Sequence, residues 1–217
     1  MDIGIAGAGI AGLATALALH PQRTDDVRIR LFERSVAPGE AGAGIQISPN
    51  GCAVLKRLGL LQRLVDISAA PSAIRIVSAR DQRCHVTVPL GSAVVSRYGH
   101  PYLTVHRQAF HELLHTAVIE QVGRDAILFG TGVDEVIDLQ DHGMLRLTTG
   151  EEVTFDLVVG ADGIHSRVRE VVGEDVLPRF TGHVAWRGVV PQDVLSSGSP
   201  VTEADRKSTR LNSSHTS

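Results

Sequence analysis

Cysteine is nearly absent from this sequence. Cys52 and Cys84 lie far apart and outside any CxxC pattern. Neither a disulfide framework nor a zinc site is therefore expected, and two reduced thiols fit a cytoplasmic protein. A basic stripe is lacking too. Charged residues make up 21% of the chain, acids and bases are interleaved, and the net charge is −3. That balance points away from a nucleic-acid partner and from a polybasic hold on an anionic membrane. No run is suited to span a bilayer. The uncharged stretch Ile3 to Leu19 is broken by Gly4, Gly7, Gly9 and Gly12 and follows Asp2 rather than a positive cluster. It is too short and glycine-rich for a membrane helix and lacks the start of a signal peptide. No internal repeat is visible. What remains is an ordinary globular composition, 43% hydrophobic over 217 residues, enough for one domain or one and a half.

The last thirteen residues stand apart. Asp205 to Ser217, DRKSTRLNSSHTS, has no hydrophobic periodicity. DRKSTRLNSSH resembles the translation of a common sequencing adapter. The expectation is that the gene-encoded fragment ends near Ala204 and that a non-native tail follows.

Periodicity organises the rest. Asp2–Ala6 reads as a strand, Ile10–His20 as a helix and Val27–Phe32 as a second strand ending at Glu33, together a β-α-β unit. A glycine-rich loop, Pro38 to Gly44, leads to a helix over Pro49–Leu58 and a second short helix through Leu64. Antiparallel strands are expected at Ala73–Ser78 and Cys84–Leu90, a polar linking segment at Gly91–His100, and a strand at Tyr102–Val105. Arg107–Val122 is an amphipathic helix, with Phe110, Leu113, Leu114, Ala117 and Val118 in i, i+3, i+4 spacing. Strands then follow near Ala126–Leu128, Val133–Leu139, Met144–Thr148 and Glu152–Val159, a short helix over Ser166–Val172, and a new strand from Thr181 to Val190. A plain nicotinamide-binding domain would keep alternating strand and helix. Here one β-α-β unit gives way to antiparallel strands, an insertion that suits an FAD-binding variant of that fold.

Two turns carry the chemistry. Gly7-Ala8-Gly9-Ile10-Ala11-Gly12 is GxGxxG placed directly after a strand and opening a helix. Its glycines permit a tight turn, close approach of a pyrophosphate, and close helix–strand packing. The helix N-terminus favours the anion. Glu33, 21 residues beyond Gly12, ends the next strand, where a carboxylate can hold a ribose diol. Arg34 could meet a 2′-phosphate, but the acid beside it would repel one. The second turn is Gly160-Ala161-Asp162-Gly163-Ile164-His165-Ser166-Arg167. It offers a strand-end aspartate between glycines and Ser166 as a helix N-cap. The bland alternative is a capped turn whose aspartate makes only local bonds.

GADGIHSRVR resembles the second FAD fingerprint of the class A flavoprotein monooxygenases, the family of salicylate, 3-hydroxybenzoate and 6-hydroxynicotinate hydroxylases. Three further segments agree in order: GAGIQISPNG at Gly42–Gly51, LTVHRQAF at Leu103–Phe110 and TGHVAWRGVVP at Thr181–Pro191. The resemblance covers residues 1 to about 200. It implies an α/β fold: an FAD-binding Rossmann-like domain of the glutathione-reductase type, with inserted antiparallel strands and the truncated start of a mixed-sheet substrate domain. The implied divisions are 1–72 and 102–177 for the FAD-binding segments, 73–101 for strands leading to the substrate side, and 178–204 for the start of the substrate domain. Implied FAD contacts are Gly7, Gly9, Gly12, Glu33, Arg34, Gln46, Arg107 and Asp162. Arg107 has an independent rationale, because a guanidinium at a helix start opposes the dipole unless an anion is present.

The implied activity is hydroxylation of a small aromatic substrate with dioxygen and NADH or NADPH, through a flavin C4a-hydroperoxide. The alternatives are another FAD-dependent oxidoreductase, an epoxidase or reductase, or an inactive nucleotide-binding fragment. A lysine-bearing insert that would mark a halogenase is not found. The family's third motif, a Gly-Asp pair followed by small residues, His and Pro, is also missing, which implies that this length alone binds FAD poorly. No catalytic residue is assigned: His106, His165 and His183 read first as hydrogen-bonding turn or strand histidines, and Trp186 and Arg187 as cavity or packing residues. The reading requires the two glycine turns, some 150 positions apart, to converge on one diphosphate.

Overall fold

The computed structural model describes residues 1–20, 26–38, 44–78, 80–81, 83–173 and 178–184. In chain order its elements are β1 (Asp2–Ala6), α1 (Ile10–Leu19), β2 (Arg28–Glu33), β3 (Gly44–Ile47), α2 (Pro49–Arg57), α3 (Leu61–Asp66), β4 (Ser68–Ala69), β5 (Ala73–Val77), β6 (Cys84–Pro89), α4 (Ser92–Tyr98), β7 (Leu103–His106), α5 (Arg107–Gln121), β8 (Ile127–Phe129), β9 (Val133–Asp138), β10 (Gly143–Leu147), β11 (Glu152–Phe155), β12 (Leu157–Gly160) and α6 (Val168–Val172). The chain divides into two compact units, Met1–Gly39 with His111–Gly182, and Glu40–Phe110 with His183–Ser217.

The first unit is built on a four-stranded parallel sheet in the order β12-β1-β2-β8. Its two faces follow from the two-residue side-chain period of a strand. Ile3 and Ile5 of β1 stand beside Ile29 and Leu31 of β2 in register, and all four are buried. Helix α1 packs on these strands. The alternate positions, Gly4 and Arg30, lie under the Phe155 ring, with the Arg30 guanidinium 4.7 Å from its centroid. Phe155 belongs to an antiparallel meander, β9-β10-β11. Its core of Phe32, Leu145, Leu147 and Phe155 is closed by Val133, Val136, Val153 and Val158. Gly4 has no side chain because the ring occupies that place: a Cβ there would sit 2.7 Å from Phe155 Cδ2.

One expected strand is really two. Glu152–Val159 breaks at Asp156, where the chain leaves the meander for the parallel sheet. The Asp2 N–H donates to the Asp156 carboxylate (2.7 Å), and the Asp156 N–H donates to the Asp2 carbonyl (2.9 Å). The polar–apolar alternation of Glu152–Leu157 runs straight across Asp156 and hid the change of sheet.

In the second unit β7 is flanked by β3 and β4, all antiparallel. Helix α2 packs on α3, α4 and β3, burying Cys52, Leu55, Leu60, Leu64 and Val94. The segment expected to be a polar linker, Gly91–His100, contains helix α4. Gly91 (φ 56°) and Gly99 (φ 73°) start and stop it. Only Val94 of α4 is buried, so no apolar stripe announced a helix. Strands β5 and β6 form a two-stranded ribbon as expected. On one face Ile74 pairs with Val88 and Ile76 with Val86, and all four are exposed.

Residues Thr181–Val184 are not in a strand, and the remainder of the expected strand, with Trp186 and Arg187, lies outside the described residues, as does the tail. Among the described residues no helix is long and apolar enough to cross a membrane.

Candidate cofactor-binding site

Three neighbouring strand ends, those of β12, β1 and β2, deliver the two glycine turns and Glu33 to one place. Gly7 follows β1 with φ +98°, a conformation open to glycine and strained for other residues. A Cβ on Gly7 would overlap the Ala161 carbonyl, lying 2.8 Å from its carbon and 3.1 Å from Asp162 Cα. A Cβ on Gly12 would overlap the Gly7 carbonyl and reach within 3.4 Å of the Ala161 side chain. The two fingerprints are therefore in contact, with no room between them for a side chain. Backbone bonds hold them so: Ala161 N–H to Ala6 O and Gly7 N–H to Phe32 O, both 2.8 Å.

Helix α1 starts directly after this turn. Gly9 is its N-cap, no side chain caps it, and no acid stands in its first turn. The first N–H groups of a helix have no partner within it. Here they are left for a ligand, and the positive end of the dipole makes that ligand an anion. The donor set thus fits a diphosphate.

Glu33 is committed more closely to the turn than the sequence suggested. Its Oε2 accepts the Ala8 N–H and its Oε1 accepts the Ser35 N–H, each at 2.9 Å. Burial pushes this carboxyl up, but the bonds from Ser35 and Ala8 and the Arg34 charge outweigh burial and hold it below its ordinary value of 4.5. A group whose pKa falls on folding stabilises the fold above its ordinary value and loses that contribution as the pH drops through the lowered one. Glu33→Gln removes an acceptor and turns an amide donor toward one of the two N–H groups. It should cost about 1–3 kcal/mol in urea denaturation at neutral pH. The gap between the two proteins should narrow on acidification below 4.5. A gap that stays constant to the acid end would sever Glu33 from the turn.

Asp162 makes local bonds. Its Oδ1 accepts the Ser166 hydroxyl (2.6 Å), and its Oδ2 accepts the Arg167 N–H (2.6 Å) and the Val168 N–H (3.4 Å). Ser166 was expected to cap a helix starting beside it. Instead α6 begins at Val168, and Ser166 Oγ, itself held by Asp162, accepts the Arg169 N–H (3.0 Å). The part of GADG that faces Gly7 is the backbone of Ala161 and Asp162.

The other expected contacts are distributed. Arg34 is exposed beside Glu33. Gln46, exposed on β3 opposite Thr104, and Arg107, half-buried at the start of α5, belong to the second unit. His106 ends β7, His165 lies exposed in a single 3-10 turn after Asp162, and His183 is exposed in irregular chain.

The FAD binding domain family model matches residues 1–208. This chain belongs to the FAD-binding-domain family. The FAD-binding domain is 38% identical over 195 residues to 3-amino-4-hydroxybenzoate 2-monooxygenase of Streptomyces cremeus, covering 90% of this chain and 48% of that protein. It is 31% identical over 196 residues to 6-hydroxynicotinate 3-monooxygenase of Pseudomonas fluorescens, covering 90% and 49%. Among solved structures it is similar to 2-methyl-3-hydroxypyridine-5-carboxylic acid oxygenase, with a TM-score of 0.66, 30% identity, and coverage of 79% of this chain and 42% of that one. The chain spans about half the length of the curated relatives it matches.

One residue of the FAD-binding domain was missed. His111 is buried, and its Nε2 lies 2.9 Å from the Ala8 carbonyl. The signal was present: with Leu114 and Val118 it falls on the i, i+3, i+7 stripe of α5, a polar group on an apolar face.

Proposed function

We propose that this chain is the FAD-binding part of a monooxygenase that hydroxylates a small aromatic compound with dioxygen and NADH or NADPH. The observation that carries the reading is the contact between the Gly7 turn and the Ala161–Asp162 turn, which leaves backbone rather than side chains facing a diphosphate. Two relatives described above are named for hydroxybenzoate and hydroxynicotinate substrates, so a ring bearing both a hydroxyl and a carboxylate is the substrate class. Residues 1–72 and 102–177 form the cofactor-binding segments, 73–101 lead toward the substrate, and 178–204 open the substrate domain. Two unpaired thiols, Cys52 and Cys84, fit a reducing compartment, the cytoplasm.

In this reading the residues share the work as follows. Gly7, Gly9 and Gly12 let the backbone meet the diphosphate, and α1 supplies N–H donors and dipole. Glu33 fixes the turn through Ala8 and keeps an ionised carboxylate for the ribose hydroxyls. Asp162 holds the start of α6, which fixes Ala161. Arg34, Gln46 and Arg107 are further contacts, with the Arg107 guanidinium suited to a phosphate. Bound FAD would supply the redox chemistry, accepting a hydride from the nicotinamide and activating dioxygen. The test has two steps. In the whole monooxygenase, added FAD should give a protein-bound flavin absorption band, and hydroxylated benzoates or pyridine carboxylates should accelerate NAD(P)H oxidation by the flavin-loaded protein. A whole protein that stays colourless overturns the cofactor assignment. A flavin-loaded protein indifferent to every such ring favours an epoxidase or reductase.

A further inference from the structure

We propose that His111 is a positioning residue of the cofactor site, holding the phosphate-facing turn from within the protein. The inference rests on the FAD reading above and extends it to a residue that carries no assigned role.

His111 is 5% exposed and Ala8 is 2% exposed. A buried imidazole must have a partner, and its Nε2 finds the Ala8 carbonyl at 2.9 Å across 103 residues of sequence. A carbonyl only accepts, so Nε2 carries the hydrogen and donates it. The other polar group of Ala8 is also taken, its N–H by Glu33 Oε2 at 2.9 Å. The peptide before Ala8 is thus fixed from the end of β2, and the peptide after it from α5.

Geometry gives this hold a direction. A trans peptide is planar, and its C=O and N–H point opposite ways. The carbonyl that His111 grips belongs to the peptide whose N–H is that of Gly9, the N-cap of α1. Drawing the Ala8 oxygen toward α5 therefore aims the Gly9 N–H away from α5. Gly9 is the central glycine of the GxGxxG turn, and its N–H lies among the donors that an incoming diphosphate meets. His111 thereby sets a donor direction without touching the ligand. Its helix neighbour His115 lies nearly parallel to it, 13° between rings whose centroids are 6.5 Å apart.

The test uses the whole monooxygenase that contains this chain, with His111→Leu, which removes the donor, and His111→Gln, whose side-chain amide can return a donor near the Nε2 position. His111→Leu should weaken FAD and ADP binding about tenfold or more, while His111→Gln stays within about threefold of the unaltered protein. Without ligand, amide exchange at Ala8, whose N–H is bonded to Glu33, should quicken about tenfold in the leucine variant and little in the glutamine one. Nitrogen NMR of the unaltered protein should find the His111 hydrogen on Nε2. The proposal is overturned if both variants lose thermal stability alike while FAD affinity is unchanged, or if Nε2 carries no hydrogen. If His111→Leu does not fold, the glutamine variant and the ring spectrum still decide. Absence of FAD and ADP binding by the unaltered whole protein would remove the cofactor reading itself, while exchange at Ala8 and the ring spectrum would still report whether Ala8 is held.

Discussion

Gly7→Ala should lower FAD affinity at least about 100-fold, a loss of roughly 3 kcal/mol or more. Two costs combine. A side chain at φ +98° is strained by roughly 1–2 kcal/mol. The new methyl also meets backbone, the Ala161 carbonyl and Asp162 Cα, rather than a side chain that could swing aside. Relief requires the two fingerprints to separate, which widens the groove meant for the diphosphate. Gly59→Ala is the matched control. Gly59 has φ +73° and nothing within 4 Å of its added Cβ. It should carry only the conformational cost, about 1–2 kcal/mol, and bind FAD as before. Flavin fluorescence titration of both variants decides the matter. Equal and mild effects would mean that conformation, and not contact between the turns, governs position 7.

The second large effect belongs to the core. Phe155→Ala should destabilise the first unit by about 3–5 kcal/mol, a large fraction of the roughly 5–15 kcal/mol available to a domain. Phe155 is 1% exposed, crosses Phe32 edge-to-face at 5.7 Å, and covers Gly4 and Arg30. Gly4→Ala alone should also destabilise, because its methyl would press on the ring at 2.7–2.9 Å. In the double variant the two changes should offset each other, the alanine at position 4 occupying space the ring has vacated. Urea midpoints for the four proteins form the cycle. Strict additivity would show that the ring does not dictate glycine at position 4.

These effects show where the sequence was transparent. The β-α-β unit, GxGxxG and the strand-end Glu33 follow local rules of spacing and side-chain period, and the structure repeats them within a residue or two. The meeting of residue 7 with residue 161 came from the resemblance, since no local rule pairs positions so distant. Local pattern failed where one signal concealed two facts. The alternation of Glu152–Leu157 runs straight across Asp156, so the paired bonds between Asp2 and Asp156 are what reveal a change of sheet. Helix α4 shows almost no apolar stripe, and its bounding glycines were read as loop. Asp162 and His111 were legible as residue types but not as roles. A strand-end aspartate serves a ligand or a helix start equally well, and the structure turns this one toward Ser166, Arg167 and Val168. A histidine in an apolar stripe names its partner only once Ala8 is seen beside it.

The ribbon of β5 and β6 has a practical side. Ile74, Ile76, Val86 and Val88 present a contiguous β-branched surface, between 36% and 54% exposed, on a unit of only two strands. Such a surface beside open strand edges invites copies to stack and zip together. Preparations of this polypeptide will consequently be limited by colloidal behaviour at high concentration before they are limited by unfolding, and dilute, cool handling will preserve more material than added denaturant or reductant.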